Sequence, residues 1–140
     1  SLTEFYVEEW DALIVPGGFG AAKNLCDFAV HGEDCSINQA VLTVCQAFAK
    51  AEKPAAYMCI APAMLSFVYG KGVQGTVGNE AGTIESLTNM GLDHINCEVD
   101  NIVIDNKHKV ISTPAYMLAT SITEAAVGIN KLVKKLLDMT

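Results

Sequence analysis

The chain has 140 residues, 51% of them hydrophobic and only 18% charged, which is the size of one compact domain and apolar enough to exclude a disordered chain. Nine lysines stand against 16 acidic residues, for a net charge of −7, and there is no arginine. Nucleic acid is therefore not an expected partner, because a polyanion would meet net repulsion and no bidentate guanidinium fork.

No run approaches the roughly 18 uninterrupted apolar residues of a bilayer crossing, and the first residues show no basic stretch followed by an apolar signal core. No membrane partner is expected. The compartment expected is a reducing interior, either bacterial cytoplasm or a mitochondrial matrix. Five cysteines (Cys26, Cys35, Cys45, Cys59 and Cys97) lie 9, 10, 14 and 38 residues apart with no CxxC pair. Neither a disulfide framework nor a structural zinc site fits that spacing.

In chain order, Trp10–Pro16 is a short apolar run closed by Pro-Gly-Gly, which predicts a buried parallel strand ending in a loop. Phe19–Cys35, punctuated by Gly20 and Gly32, reads as mostly loop. Ser36 and Gln39 have capping-box spacing, and a helix is predicted from there to about Glu52, stopped by Lys53-Pro54. Ala55–Met58 predicts a second buried strand running into Cys59-Ile60-Ala61-Pro62, where the proline suits the first turn of a helix. Cys59 is thus placed at a strand-to-helix turn.

A strand is predicted near Val73–Val77 and a helix around Thr83–Met90, ended by Gly91. Ile102–Asp105 and Lys109–Ser112 flank Asn106–His108 as a β-hairpin. Ile122, Ala125, Ala126, Ile129, Leu132, Val133, Leu136 and Leu137 recur at helical spacing and predict one apolar face on a long C-terminal helix. Strands alternating with helices imply an α/β fold with a mostly parallel sheet covered on both faces, plus the hairpin. A fully buried strand this close to the start would leave a sheet edge open, so a missing N-terminal part is expected.

Ligands bind beyond the carboxyl ends of strands in open α/β sheets, and Pro16-Gly17-Gly18, Cys59-Ile60 and Thr113-Pro114-Ala115 all end at such positions. A cysteine entering a helix meets unpaired amides and a dipole that favour thiolate, which makes Cys59 a candidate nucleophile; the alternative is a small buried hydrophobe. Gly17 and Gly18, with the amide of Ile60, have the makings of an oxyanion hole, or of an ordinary turn. No GxxxxGK[ST] loop occurs, and Gly18-Phe19-Gly20 lacks the third glycine of a dinucleotide fingerprint. Among the histidines, His94 is better placed than His31 or His108, although a lone histidine is more often structural. Glu80 and Asp100 read as solvated loop acids, and the other four cysteines as packed thiols.

Asp11–Leu25, Met58–Ala63 and Ser112–Met117 together make the chain resemble the isoprenoid-biosynthesis glyoxalase family, also called enhancing lycopene biosynthesis protein 2. That family lies in the class I glutamine amidotransferase-like superfamily, beside the parkinsonism-associated deglycases. The resemblance implies a flavodoxin-like three-layer sandwich, with residues 1–140 as one amidotransferase-like domain incomplete at its N-terminus. The strand and the acidic residue that ordinarily precede the Asp11 segment in the family are not in this chain.

By the same resemblance Cys59 sits on a nucleophile elbow, Gly18 and Ile60 supply oxyanion amides, and His94 falls near the family's histidine. The activity implied is a cysteine-dependent, glutathione-independent glyoxalase, of lyase type, converting small α-oxoaldehydes such as glyoxal and methylglyoxal to hydroxy acids, or a related deglycase. No metal or organic cofactor is implied, and a homodimer is expected. The competing expectation is a non-catalytic domain whose reactive Cys59 senses redox state or serves regulation. Glutamine hydrolysis is disfavoured because no His-Glu relay is evident.

Overall fold

A computed structural model describes residues 1–140. Six strands occur: β1 (Leu13–Val15), β2 (Ala55–Met58), β3 (Gln74–Gly75), β4 (Asp93–His94), β5 (Val103–Asp105) and β6 (Val110–Thr113). The α-helices are α1 (Phe28–His31), α2 (Gln39–Lys50), α3 (Leu65–Tyr69), α4 (Ala81–Asn89) and α5 (Ile122–Asp138). The main sheet has the order β1-β2-β6-β5, with β1, β2 and β6 parallel and β5 antiparallel to β6, as a β-hairpin requires. β3 and β4 form a separate parallel pair, tied to the main sheet where the Thr76 amide donates to Ser112 Oγ at 3.0 Å.

Period-two alternation sorts the central strands between two cores. Ala55, Tyr57 and Val110 face a cluster with Val41, Cys45, Leu65 and Leu87, drawn from α2, α3 and α4. Ala56, Met58 and Ile111 face the opposite side, where Leu132 and Leu136 of α5 cover them. Each such leucine, fully removed from water, contributes roughly 1.5–3 kcal/mol. The result is the α/β sandwich with a mostly parallel sheet that the sequence predicts.

Four local expectations need correction. The first strand is not buried: β1 is the sheet edge, and Ile14 is 40% exposed because nothing lies on its outer side. Ser36 does not cap α2, since its amide and hydroxyl are held by the carboxylate of Asp27 at 2.6 and 3.2 Å. Asn38 caps instead, accepting from the amides of Ala40 and Val41. Phe19–Cys35 contains a π-turn over Ala21–Leu25 and the short α1 rather than plain loop. On α5, Ile122 and Leu137 are 77% and 64% exposed, because the sheet reaches only the stripe through Ala125, Gly128, Leu132 and Leu136.

Candidate active site

The carboxyl ends of β1, β2 and β6 meet at one place. Pro62 and the short 3₁₀ turn Ala61–Met64 pull the chain away from β2, and the reversal falls on Cys59, whose φ is +58°. A non-glycine residue in the left-handed region costs of order 1–3 kcal/mol and persists only where its surroundings hold it. Two neighbours do so. The Cys59 amide donates to the Thr113 carbonyl at 3.0 Å, and Gly17 packs directly on the turn. A Cβ on Gly17 would lie 2.5 Å from the Met58 carbonyl oxygen, 3.0 Å from Cys59 Cβ and 3.4 Å from the Ile60 nitrogen.

Gly17 therefore has to be glycine on two grounds, its φ of +85° and this contact, and the close approach brings the Pro-Gly-Gly turn beside the cysteine. Gly18, at φ +88°, has open space where a side chain would stand. Beyond β6, Ala115 is a second strained residue at φ +48°. The Pro16–Gly18 and Thr113–Ala115 segments, which the sequence places at strand ends, thus flank the Cys59 turn from either side.

Cys59 is half-buried and its sulfur makes no hydrogen bond within the chain, whereas Cys26, Cys35, Cys45 and Cys97 are buried. Burial pushes all four of those thiols up, Cys35 and Cys97 to about 11, and so keeps them protonated and inert.

His94 lies at the carboxyl end of β4, on the same side of the fold. Its Nε2 accepts the Val77 amide at 3.1 Å, which in the neutral ring leaves the proton on Nδ1. Nδ1 is buried without a partner, and burial lowers the pKa of the ring. No hydrogen bond joins His94 to Cys59. Gly78, next to Val77, packs on Leu118, which follows the Pro114–Met117 turn. Glu80 does not project as a free loop acid; its carboxylate caps α4 through the amides of Gly82 and Thr83. No group of three His, Cys, Asp or Glu side chains gathers to hold a metal ion.

Fold and elbow define a parallel α/β sandwich with a strained cysteine at a strand-to-helix turn. No protein-family model matches the chain. It is 42% identical to the mitochondrial ES1 protein homolog of Rattus norvegicus over 149 aligned positions, covering 100% of this chain and 56% of the relative. It is also 43% identical to the mitochondrial glutamine amidotransferase-like class 1 domain-containing protein 3 of Homo sapiens, covering 93% of this chain and 52% of the relative. The chain thus spans about half the length of the curated relatives it matches.

Among solved structures, an isoprenoid biosynthesis protein with an amidotransferase-like domain from Ehrlichia chaffeensis superposes with TM-score 0.88 at 28% identity, over 99% of this chain and 63% of that one. Drosophila melanogaster DJ-1beta shares the fold at TM-score 0.60 and 15% identity, over 99% of this chain and 66% of that one. These relatives and this structural neighbour support the class I glutamine amidotransferase-like superfamily for the chain. No helix is long and apolar enough to cross a membrane.

Proposed function

We propose that Cys59 is the nucleophile of a glutathione-independent glyoxalase or related deglycase acting on small α-oxoaldehydes. One observation carries this reading: the only cysteine outside the core stands on a positive-φ elbow clasped by Gly17 and by the Thr113 carbonyl. A fold shared with the DJ-1 structures is compatible with it. The Cys59 thiolate adds to the aldehyde carbon and forms a hemithioacetal, whose oxyanion is received by the amides of Gly18 and Ile60, with Gly17 keeping the two turns close. Transfer of the carbon-bound proton to the neighbouring carbon, through an enediol, converts the adduct to a hydroxyacyl thioester. Water then cleaves the thioester to the hydroxy acid and frees the thiol.

His94 is the acid–base candidate in this scheme. Burial lowers the pKa of its ring and so favours the neutral form, and Nδ1 is the nitrogen left without a partner in the chain. The scheme uses no metal or organic cofactor. Glyoxal consumption and glycolate formation, followed by NMR, test the proposal: the Cys59→Ala protein loses turnover, and unchanged turnover rejects it.

A second reading, a redox-sensing or regulatory thiol, is favoured by one fact, that Cys59 alone among the cysteines is not buried. Peroxide titration with intact-mass detection separates the two, since a sensor oxidises at Cys59 and turns over no glyoxal. Trp10, Phe19 and Ile122, more than half exposed, support a homodimer, which sedimentation measures directly.

A further inference from the structure

At the opposite end of the sheet from Cys59, the β5–β6 turn builds a polar pocket that the aldehyde chemistry does not use. It has a volume of about 410 Å³ and is lined by Lys71, Gly72, Gln74, Asp105, Asn106, Lys107 and His108, with no hydrophobic residue among them. Asp105 pairs with Val110 at the start of β6 and Thr113 ends it, so the pocket lies roughly 10 Å along the strand from the elbow, at 3.3 Å per residue. The carboxylate of Asp105 is buried, and both its oxygens are hydrogen-bonded within the chain. Oδ1 accepts the His108 amide at 2.9 Å, and Oδ2 accepts the Gln74 amide and His108 Nδ1, both at 2.8 Å.

Those three donors, working against burial, hold the Asp105 carboxyl below the usual carboxylate range. Three of the carboxylate's roughly four acceptor positions are thus taken within the chain, and it fixes His108 with the proton on Nδ1 and Nε2 as the free ring nitrogen. The Tyr69 ring meets the imidazole edge-on, centroids 5.5 Å apart, and restricts it further. Around this anchored ring the pocket collects donors. The amides of Asn106 and Lys107 have no acceptor in the chain. Lys71 and Lys107 are exposed, with the Lys71 stem laid against Gly91, and Lys109 follows on the same turn. The acids nearby are Asp93, which accepts from Gln74 Nε2 at 3.4 Å, and Glu52, which lines a smaller neighbouring cavity with Tyr69, Lys107, His108 and Lys109.

We propose that this pocket binds a phosphate group, free or as a small phosphate monoester, between Lys71, Lys107 and the amides of the β5–β6 turn. In a chain of net charge −7, a pocket with two lysines and free turn amides, beside a carboxylate whose oxygens are already turned to donors within the chain, favours a compact multiply charged anion. A carboxylate offers one charge and two oxygens to the same donors and binds less well. The proposal is independent of the chemistry assigned to Cys59.

The test is an amide NMR titration at pH 7 with inorganic phosphate, glycerol 3-phosphate, acetate and chloride at matched ionic strength. Saturable shifts centred on Gly72, Asn106, Lys107 and His108 are expected with the two phosphates, and tighter binding of the ester identifies a phosphorylated small molecule as the source. The Lys71→Ala/Lys107→Ala double variant, altered only at exposed side chains, weakens the phosphate affinity at least about tenfold while its spectrum elsewhere is unchanged. Non-saturating shifts, a response to acetate or chloride equal to that of phosphate, or an affinity indifferent to the two lysines overturns the proposal.

Discussion

The two ends of strand β6 are built on opposite terms. At its carboxyl end Thr113 hands its carbonyl to the amide of a cysteine at φ +58°, Ala115 follows at φ +48°, and the nearby His94 buries a nitrogen without a partner. At its amino end the buried Asp105 has both oxygens engaged by three donors, and nearby polar side chains line an open pocket. At the elbow the strained residues border the place where chemistry is proposed, whereas at the other end the strained Lys109, at φ +56°, lies in a hairpin turn pinned by the bonds to Asp105. A fold can hold a reactive turn in a costly conformation because neighbouring strands are fixed by bonds that cost nothing in strain.

Substitutions sharpen this contrast, beginning with the largest effect. Gly17→Ala puts a methyl group 2.5 Å from the Met58 carbonyl in a left-handed conformation, and is expected to destabilise the protein by about 2–4 kcal/mol in urea unfolding, with loss of any Cys59-dependent activity. Asp105→Ala strands the Gln74 and His108 amide donors and is expected to cost about 2–3 kcal/mol at pH 7, with glyoxal turnover less affected than by Gly17→Ala.

The sign of the pH dependence follows from the lowered pKa of Asp105. The unfolded carboxyl takes up protons first, so the stability this group supplies is present above about pH 4 and disappears as pH falls through the folded value. Urea midpoints measured from pH 6 down to pH 3 show a steeper fall for the wild type than for Asp105→Asn. His94 gives a smaller effect in a different window. Its lowered pKa makes the native state bind its proton less readily than the unfolded chain, so stability falls as pH drops below about 6.5 toward the folded value. His94→Asn flattens that part of the curve, and a curve left unchanged would mean that the ring is not held as described.

Much of the reactive end was legible in the sequence, because its signals are local. An apolar run broken by Pro-Gly-Gly, and another broken by Cys59 with Pro62 three residues later, mark strand ends wherever they occur in a parallel sheet. At the anchoring end the hairpin was legible, from its two apolar runs around Asn106–His108, but the bond that ties it to β3 was not. Asp105 meets Gln74 across 31 positions of sequence, through a two-residue strand too short to show any alternation, and β4 escaped notice for the same reason. Helix entry was misassigned at Ser36 because an acceptor nine residues away, on Asp27, competed for the same groups. The C-terminal helix was recognised, but periodicity alone does not say how far the sheet extends beneath it, so Ile122 and Leu137 were placed on the buried face when they stand in solvent.

Chemistry at the elbow requires Cys59 to be the accessible, reactive sulfur of the chain. Brief alkylation of the folded protein with iodoacetamide at pH 7, followed by peptide mapping, measures this directly. A single adduct on Cys59, formed before any on Cys26, Cys35, Cys45 or Cys97, is the predicted result. First modification at any of those four, with Cys59 untouched, would contradict it.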